Sequence, residues 1–160
     1  MAKAPPEKQI DESKHYRATI TTSRGVMVAD LDPSLAPNTV NNFVGLARQG
    51  YYDGLMFHRV VPDFVIQGGC PEGSGRGGPG YKFADEPVRS EYTLGAVAMA
   101  NSGPDTNGSQ FFICIADCRR KLDKLYNLFG HVVSGIEVAQ ATAVGDVMES
   151  VVVEEIDPAS

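Results

Sequence analysis

The stretch His15-Tyr16-Arg17-Ala18-Thr19-Ile20-Thr21-Thr22-Ser23-Arg24-Gly25-Val26-Met27-Val28-Ala29-Asp30-Leu31 decides the fold class. Tyr16, Ala18 and Ile20 alternate with Arg17, Thr19 and Thr21, the period of a strand with one buried face. Ser23-Arg24-Gly25 supplies the turn, and Val26 to Leu31 returns as the second strand. Outward from this hairpin, Leu55–Ile66, Leu94–Ala100, Gln110–Ile115, Leu125–Val133 and Val151–Ile156 are further apolar runs of strand character. Between them Pro37 opens a helix with Val40, Phe43, Val44 and Ala47 at i, i+3, i+4 and i+7, closed by Gly50. Ser134-Gly135-Ile136-Glu137 has the pattern of a capping box, which predicts a second helix over Gly135 to Ala143. Seven or eight strands with two isolated helices, never in βαβ alternation, predict a mainly β fold: a closed antiparallel barrel plugged by helices.

The 160 residues suit a single domain over 15–160, preceded by a flexible polar tail over 1–14. A body of that length hides roughly 70% of its unfolded surface, so a core forms without staples. The 17 glycines and 10 prolines fit a chain of short strands and tight turns. Lys and Arg number 14 against 20 Asp and Glu, a net charge of −6, which argues against nucleic acid and acidic membranes as partners. The local exception, Arg119-Arg120-Lys121 with Lys124, reads as a solvated basic loop. No apolar run is long enough to span a bilayer, and Met1 to Ser13 resembles neither a secretory nor a transit peptide. A cytoplasmic setting is predicted, with the nucleus left open. Cys70, Cys114 and Cys118 are an odd set without paired metal-ligand spacing and read as reduced thiols. Neither a metal nor a cofactor is expected, and a closed barrel with few free edges predicts a monomer.

Gly73-Ser74-Gly75-Arg76-Gly77-Gly78 matches a dinucleotide-binding pattern formally, but Pro79-Gly80 follows where a helix would have to start. His15, His58 and His131 accompany no nucleophile motif. Two mixed stretches remain. Phe57-His58-Arg59-Val60-Val61-Pro62-Asp63-Phe64-Val65-Ile66-Gln67-Gly68-Gly69 sets a guanidinium and an amide in an apolar run. If extended, it places Arg59, Val61, Asp63, Val65 and Gln67 on one face, unless a turn at Pro62 shifts the register; from pattern alone Arg59 reads first as an ion-pair partner at a barrel rim. Met99-Ala100-Asn101 through Asn107-Gly108-Ser109-Gln110-Phe111-Phe112 joins two apolar runs by polar amides, either an ordinary turn or the polar edge of an apolar pocket.

Those two stretches, with Gly75-Arg76-Gly77-Gly78 between them, closely resemble the cyclophilin family of peptidyl-prolyl cis–trans isomerases, and the resemblance runs from Tyr16 to about Ile156 in the family's order. It implies a closed eight-stranded antiparallel β-barrel capped by two α-helices, acting on X-Pro bonds of proline-containing peptides and proteins and assisting their folding. By position it implies a catalytic role for Arg59, with Gln67 and Asn101 beside it. It implies a proline pocket of Phe64, Val65, Phe112, Leu122 and Tyr126, a peptide backbone held by Gln67, Ala100, Asn101 and Gln110, and His58 flanking the site. Two departures stand out: Lys121-Leu122-Asp123 replaces a frequent Trp-Leu-Asp, and Tyr126 replaces a usual histidine. The missing tryptophan predicts weakened binding of the family inhibitor cyclosporin. A proline-peptide binding or scaffold module with incidental catalysis is the alternative reading.

Overall fold

The structure, a computed structural model, describes residues 4–158. In chain order its elements are β1 His15–Thr22, β2 Gly25–Leu31, α1 Pro37–Arg48, β3 Phe57–Val61, β4 Val65–Gly68, β5 Ala96–Met99, β6 Phe111–Cys114, β7 Leu128–Ser134, α2 Ile136–Ala141 and β8 Met148–Ile156. All neighbouring strands are antiparallel, in one sheet ordered β3-β4-β6-β5-β7-β2-β1-β8. The β1–β2 hairpin forms as its alternation requires, with Tyr16, Ala18 and Ile20 buried.

The expected closure does not occur. The sheet curls into a half-barrel, and its end strands β3 and β8 share no ladder. One isolated bridge, Met56 with Val147, joins the two sides, flanked by Phe57 N–H to Asp146 O at 2.9 Å. The free side of β8 bonds to the loop after α1 instead. Gly54 N–H donates to Met148 O at 2.7 Å, and Val151 N–H donates to the Asp53 carboxylate at 3.1 Å. A monomer therefore cannot be argued from an absence of edges.

Helix α1 packs against β8 and β7. Its first turn has no capping side chain of its own; Glu86, 47 residues away, accepts from Thr39 N–H at 2.7 Å and from Asn38 N–H at 3.1 Å. At its end Gly50 N–H bonds Ala47 O and Tyr51 N–H bonds Leu46 O, with Gly50 at φ +73°, the arrangement that Gly50 predicts. Residues 5–11 run along α1: Gln9 N–H donates to Asn41 Oδ1 at 2.8 Å, and Ile10 is buried. The first three residues of the expected tail lie outside the described ones.

Helix α2 is shorter than predicted, and the capping box is not made. Ser134 is instead the last residue of β7, opposite Val28, and the chain reverses at Gly135 with φ +82°. A Cβ there would stand 2.2 Å from Val26 O, so only glycine fits.

The sheet separates two apolar clusters by strand alternation. Ile66, Val97, Met99, Phe111 and Ile113 join the main core with Phe43 of α1, Tyr52 and Phe129. Val65, Ala96, Ala98, Phe112 and Cys114 face the other way, into a smaller cluster closed by Tyr92, Cys118 and Leu128.

Candidate active site

That second cluster gathers the residues expected to line a proline pocket into one apolar floor. Phe64, Ala100, Leu122 and Tyr126 pack against it while staying partly open to solvent, and Val65 and Phe112 lie deeper, almost fully covered. The Tyr126 ring meets Phe112 edge-on at 5.5 Å. Tyr126 is held by a residue that sequence reasoning missed: the Tyr92 hydroxyl donates to Tyr126 O at 2.6 Å and accepts from Tyr126 N–H at 3.1 Å. Burial pushes the Tyr92 phenol up to about 12, so it stays a donor. Nothing near Tyr92 in sequence marks that partnership, which spans 34 residues.

The run Leu55–Ile66 is not one strand. Pro62 and Asp63 turn it into the β3–β4 hairpin, with Asp63 at φ +59°. Arg59 and Gln67 consequently become direct cross-strand partners rather than neighbours along one strand face. Arg59 Nη1 donates to Gln67 Oε1 at 3.3 Å. Gln67 Nε2 donates to Gln110 Oε1 at 3.1 Å, and Gln110 Nε2 donates to the carbonyls of Gly75 and Gly77, both at 3.0 Å. Two glycine carbonyls, in a loop whose role the sequence did not reveal, thus fix both amides: Gln110 must turn its oxygen to Gln67, and Gln67 its oxygen to Arg59.

Arg59 is solvent-exposed at the lip of the apolar floor, and none of the ion pairs among the described residues includes it. The rim ion pair therefore does not form, and neither is the guanidinium already desolvated.

Beside this chain lies a groove of about 900 Å³, bordered by Gln67, Arg76, Ala100, Asn101, Thr106 and Gln110 among others. The Asn101 side chain is committed within the protein, donating to Leu125 O at 3.0 Å and accepting from Gly103 N–H at 3.2 Å. His58 is half-buried. It turns toward the glycine loop, where a Cβ on Gly75 would stand 3.3 Å from its Nε2. Burial, and then the Arg59 charge, lower the His58 pKa, so the ring is neutral at pH 7. The glycine loop enters no helix and lends its carbonyls, rather than its N–H groups, to the site.

Residues 17–157 match the family model described as cyclophilin type peptidyl-prolyl cis-trans isomerase/CLD. The chain belongs to that family. Peptidyl-prolyl cis-trans isomerase B of Bacillus subtilis (strain 168) is 50% identical over 127 residues, 78% of this chain and 88% of that one. The Helicobacter pylori (strain ATCC 700392 / 26695) peptidyl-prolyl cis-trans isomerase is 43% identical over 149 residues, 91% of each chain. Among solved structures, a cyclophilin type isomerase of Cryptosporidium parvum superposes with a TM-score of 0.80 at 31% identity, covering 88% of this chain and 98% of its own. The same protein crystallised in the presence of the dipeptide Ala-Pro gives 0.79, at 31% identity, over 86% and 98%. This cyclophilin is accordingly a peptidyl-prolyl cis–trans isomerase, and no helix among its described residues is long and apolar enough to cross a membrane.

Proposed function

We propose that this isomerase turns X-Pro bonds with Arg59 as its catalytic group, Gln67 as the residue that aims it, and the floor around Phe112 as the seat of the proline ring. The observation that carries the reading is the chain Arg59–Gln67–Gln110–Gly75/Gly77 along the edge of an apolar cluster.

The barrier to be lowered is roughly 18–20 kcal/mol, set by conjugation of the nitrogen lone pair with the carbonyl. At the twisted transition state that conjugation is lost and the proline nitrogen becomes a better hydrogen-bond acceptor. A donor aimed at it stabilises the transition state more than either planar isomer. A guanidinium stays charged at every physiological pH and carries five N–H donors. One of them is held by Gln67, leaving others for substrate. The solvent exposure of Arg59 in the free protein is compatible with this role, because a bound peptide covers the lip and lowers the dielectric as the reaction begins.

Phe64, Val65, Phe112, Leu122 and Tyr126 hold the pyrrolidine ring while the preceding carbonyl swings. Ala100 and Asn101 hold the peptide backbone through their main chain, since the Asn101 side chain is already engaged. Gln110 acts through Gln67, and His58 supports the glycine loop beside the groove. The substrates are proline-containing peptides and protein chains during or after folding, as the Ala-Pro relative suggests. The enzyme works as a monomer, because Glu149, Glu154 and Glu155 on edge strand β8 repel a second copy of it. A cytoplasmic or nuclear setting suits its three buried, unpaired thiols. Cyclosporin binds weakly, because Lys121 offers no flat apolar face.

Titration with an Ala-Pro peptide followed by NMR tests the placement. The amides of Ala100, Asn101, Gln110, Phe112 and Leu122 are expected to shift together and saturate at one Kd. Saturable shifts confined to another face would overturn it.

A further inference from the structure

The tip of the β3–β4 hairpin carries Phe64 and leans on a distant stretch of chain. Phe64 O accepts from Ile115 N–H at 2.9 Å and from the Cys118 thiol at 3.3 Å. Next to it, Asp63 O accepts a hydrogen bond from Lys121 Nζ. All three donors lie in the short segment from Ile115 to Lys121 that follows β6, which ends in a turn where Lys121 N–H and Leu122 N–H bond back to Cys118 O at 3.0 and 3.1 Å. Leu122, a second wall of the pocket, follows Lys121 directly. Lys121 therefore bridges two walls: its backbone is joined to Leu122, and its ammonium grips the carbonyl beside Phe64.

The three ties differ in kind. Ile115 and Cys118 are buried, Ile115 in the main core and Cys118 in the smaller cluster, so their bonds belong to packed interior. Lys121 is exposed, and among the described residues it enters no ion pair with a carboxylate. Such a group contributes little to global stability. What it holds is local. Asp63 turns the hairpin in the left-handed region at φ +59°, a conformation that Asp adopts more readily than most residues but that its neighbours still have to hold in place. A donor on its carbonyl is one such constraint.

We propose that Lys121 is a positioning residue of this isomerase. By holding the Asp63 carbonyl it keeps Phe64 at a set distance from Leu122, and so holds the pocket at the width of a pyrrolidine ring. The inference rests on the pocket assigned above. Arg59 is anchored separately, by its ladder partner Gln67, so loss of the tie loosens ring binding without moving the cation.

The test compares wild type with Lys121→Met, which keeps the stem and loses the donor, and Lys121→Arg, which keeps donor and charge. Isomerisation kinetics use a neutral Ala-Pro peptide, so that long-range charge attraction plays no part. Lys121→Met should raise KM about 3- to 10-fold with kcat within about 2-fold of wild type. Lys121→Arg should restore KM, and all three melting temperatures should agree within about 2 °C. A Met variant with wild-type KM overturns the inference. So does an Arg variant as impaired as the Met one, or a KM change that comes with a several-degree loss of melting temperature. A wild-type enzyme that binds the peptide on another face would instead bring down the pocket assignment itself.

Discussion

Arg59 and Gln67 stand opposite each other in the β3–β4 ladder, and Arg59 Nη1 donates to Gln67 Oε1 at 3.3 Å. The orientation of that amide is decided two steps away, where both N–H groups of Gln110 are taken by the carbonyls of Gly75 and Gly77. A cation with several rotatable bonds is thereby aimed by backbone atoms of a loop, at the edge of an apolar floor.

If aim matters, Gln110→Ala should reduce kcat/KM although Gln110 touches no reacting atom. One lost hydrogen bond of this kind corresponds to roughly 5- to 15-fold. Steady-state kinetics check this, with circular dichroism to verify the fold. A variant as active as wild type would show that Gln67 needs no support.

The pocket residues differ in what their removal does. Phe112 is 4% exposed, so Phe112→Ala should cost about 3–5 kcal/mol of stability as well as peptide binding. Leu122 is only partly buried, and Leu122→Ala should weaken peptide binding about 5- to 30-fold with a smaller change in thermal midpoint. Peptide titration beside thermal denaturation separates the two. Equal losses of stability in both variants would argue that Leu122 belongs to the core.

Gly135→Ala should destabilise the fold by about 2 kcal/mol or more, since its Cβ would meet Val26 O at 2.2 Å and φ is +82°. Activity per folded molecule should be unchanged, because Gly135 turns the chain between β7 and α2 against Val26 and Met27, none of which lines the pocket. Denaturant unfolding with an activity titration measures both.

Turnover should be flat with pH above about 7, as no proton is transferred and a guanidinium does not titrate there. Stability should behave otherwise. Burial lowers the pKa of His58, aided by Arg59, and burial also lowers that of His131 against the pull of Asp30 and Asp32. Below about pH 6.5 the unfolded chain takes up protons that the folded chain refuses, so the unfolding free energy should fall as pH drops toward 5. His58→Gln should remove part of that slope. A slope identical to wild type would show that His58 protonates freely in the folded state.

Much of this was legible in the sequence because strand alternation is a local property. The β1–β2 hairpin, the α1 stripe ending at Gly50, and the opposite facing of Phe111 and Phe112 all follow from spacing. The β3–β4 register was not legible, since it hinges on a turn that Pro62 allows but does not dictate. Closure failed as an expectation because it depends on which partner the free side of β8 finds, and Gly54 and Asp53 reach it. The capping box failed because Ser134 was already paired in β7. In the site, Arg59, Gln67 and Gln110 do meet, but the ties through Tyr92, Gly75, Gly77 and Lys121 span dozens of residues and leave no periodic trace.

The most direct measurement is the rate at which Arg59→Ala and wild type interconvert one short X-Pro peptide, with the fold of each verified. The variant should lose roughly 10²–10³ in kcat/KM, about 3–4 kcal/mol of transition-state stabilisation. Arg59→Ala working at the wild-type rate would contradict a mechanism built on that cation.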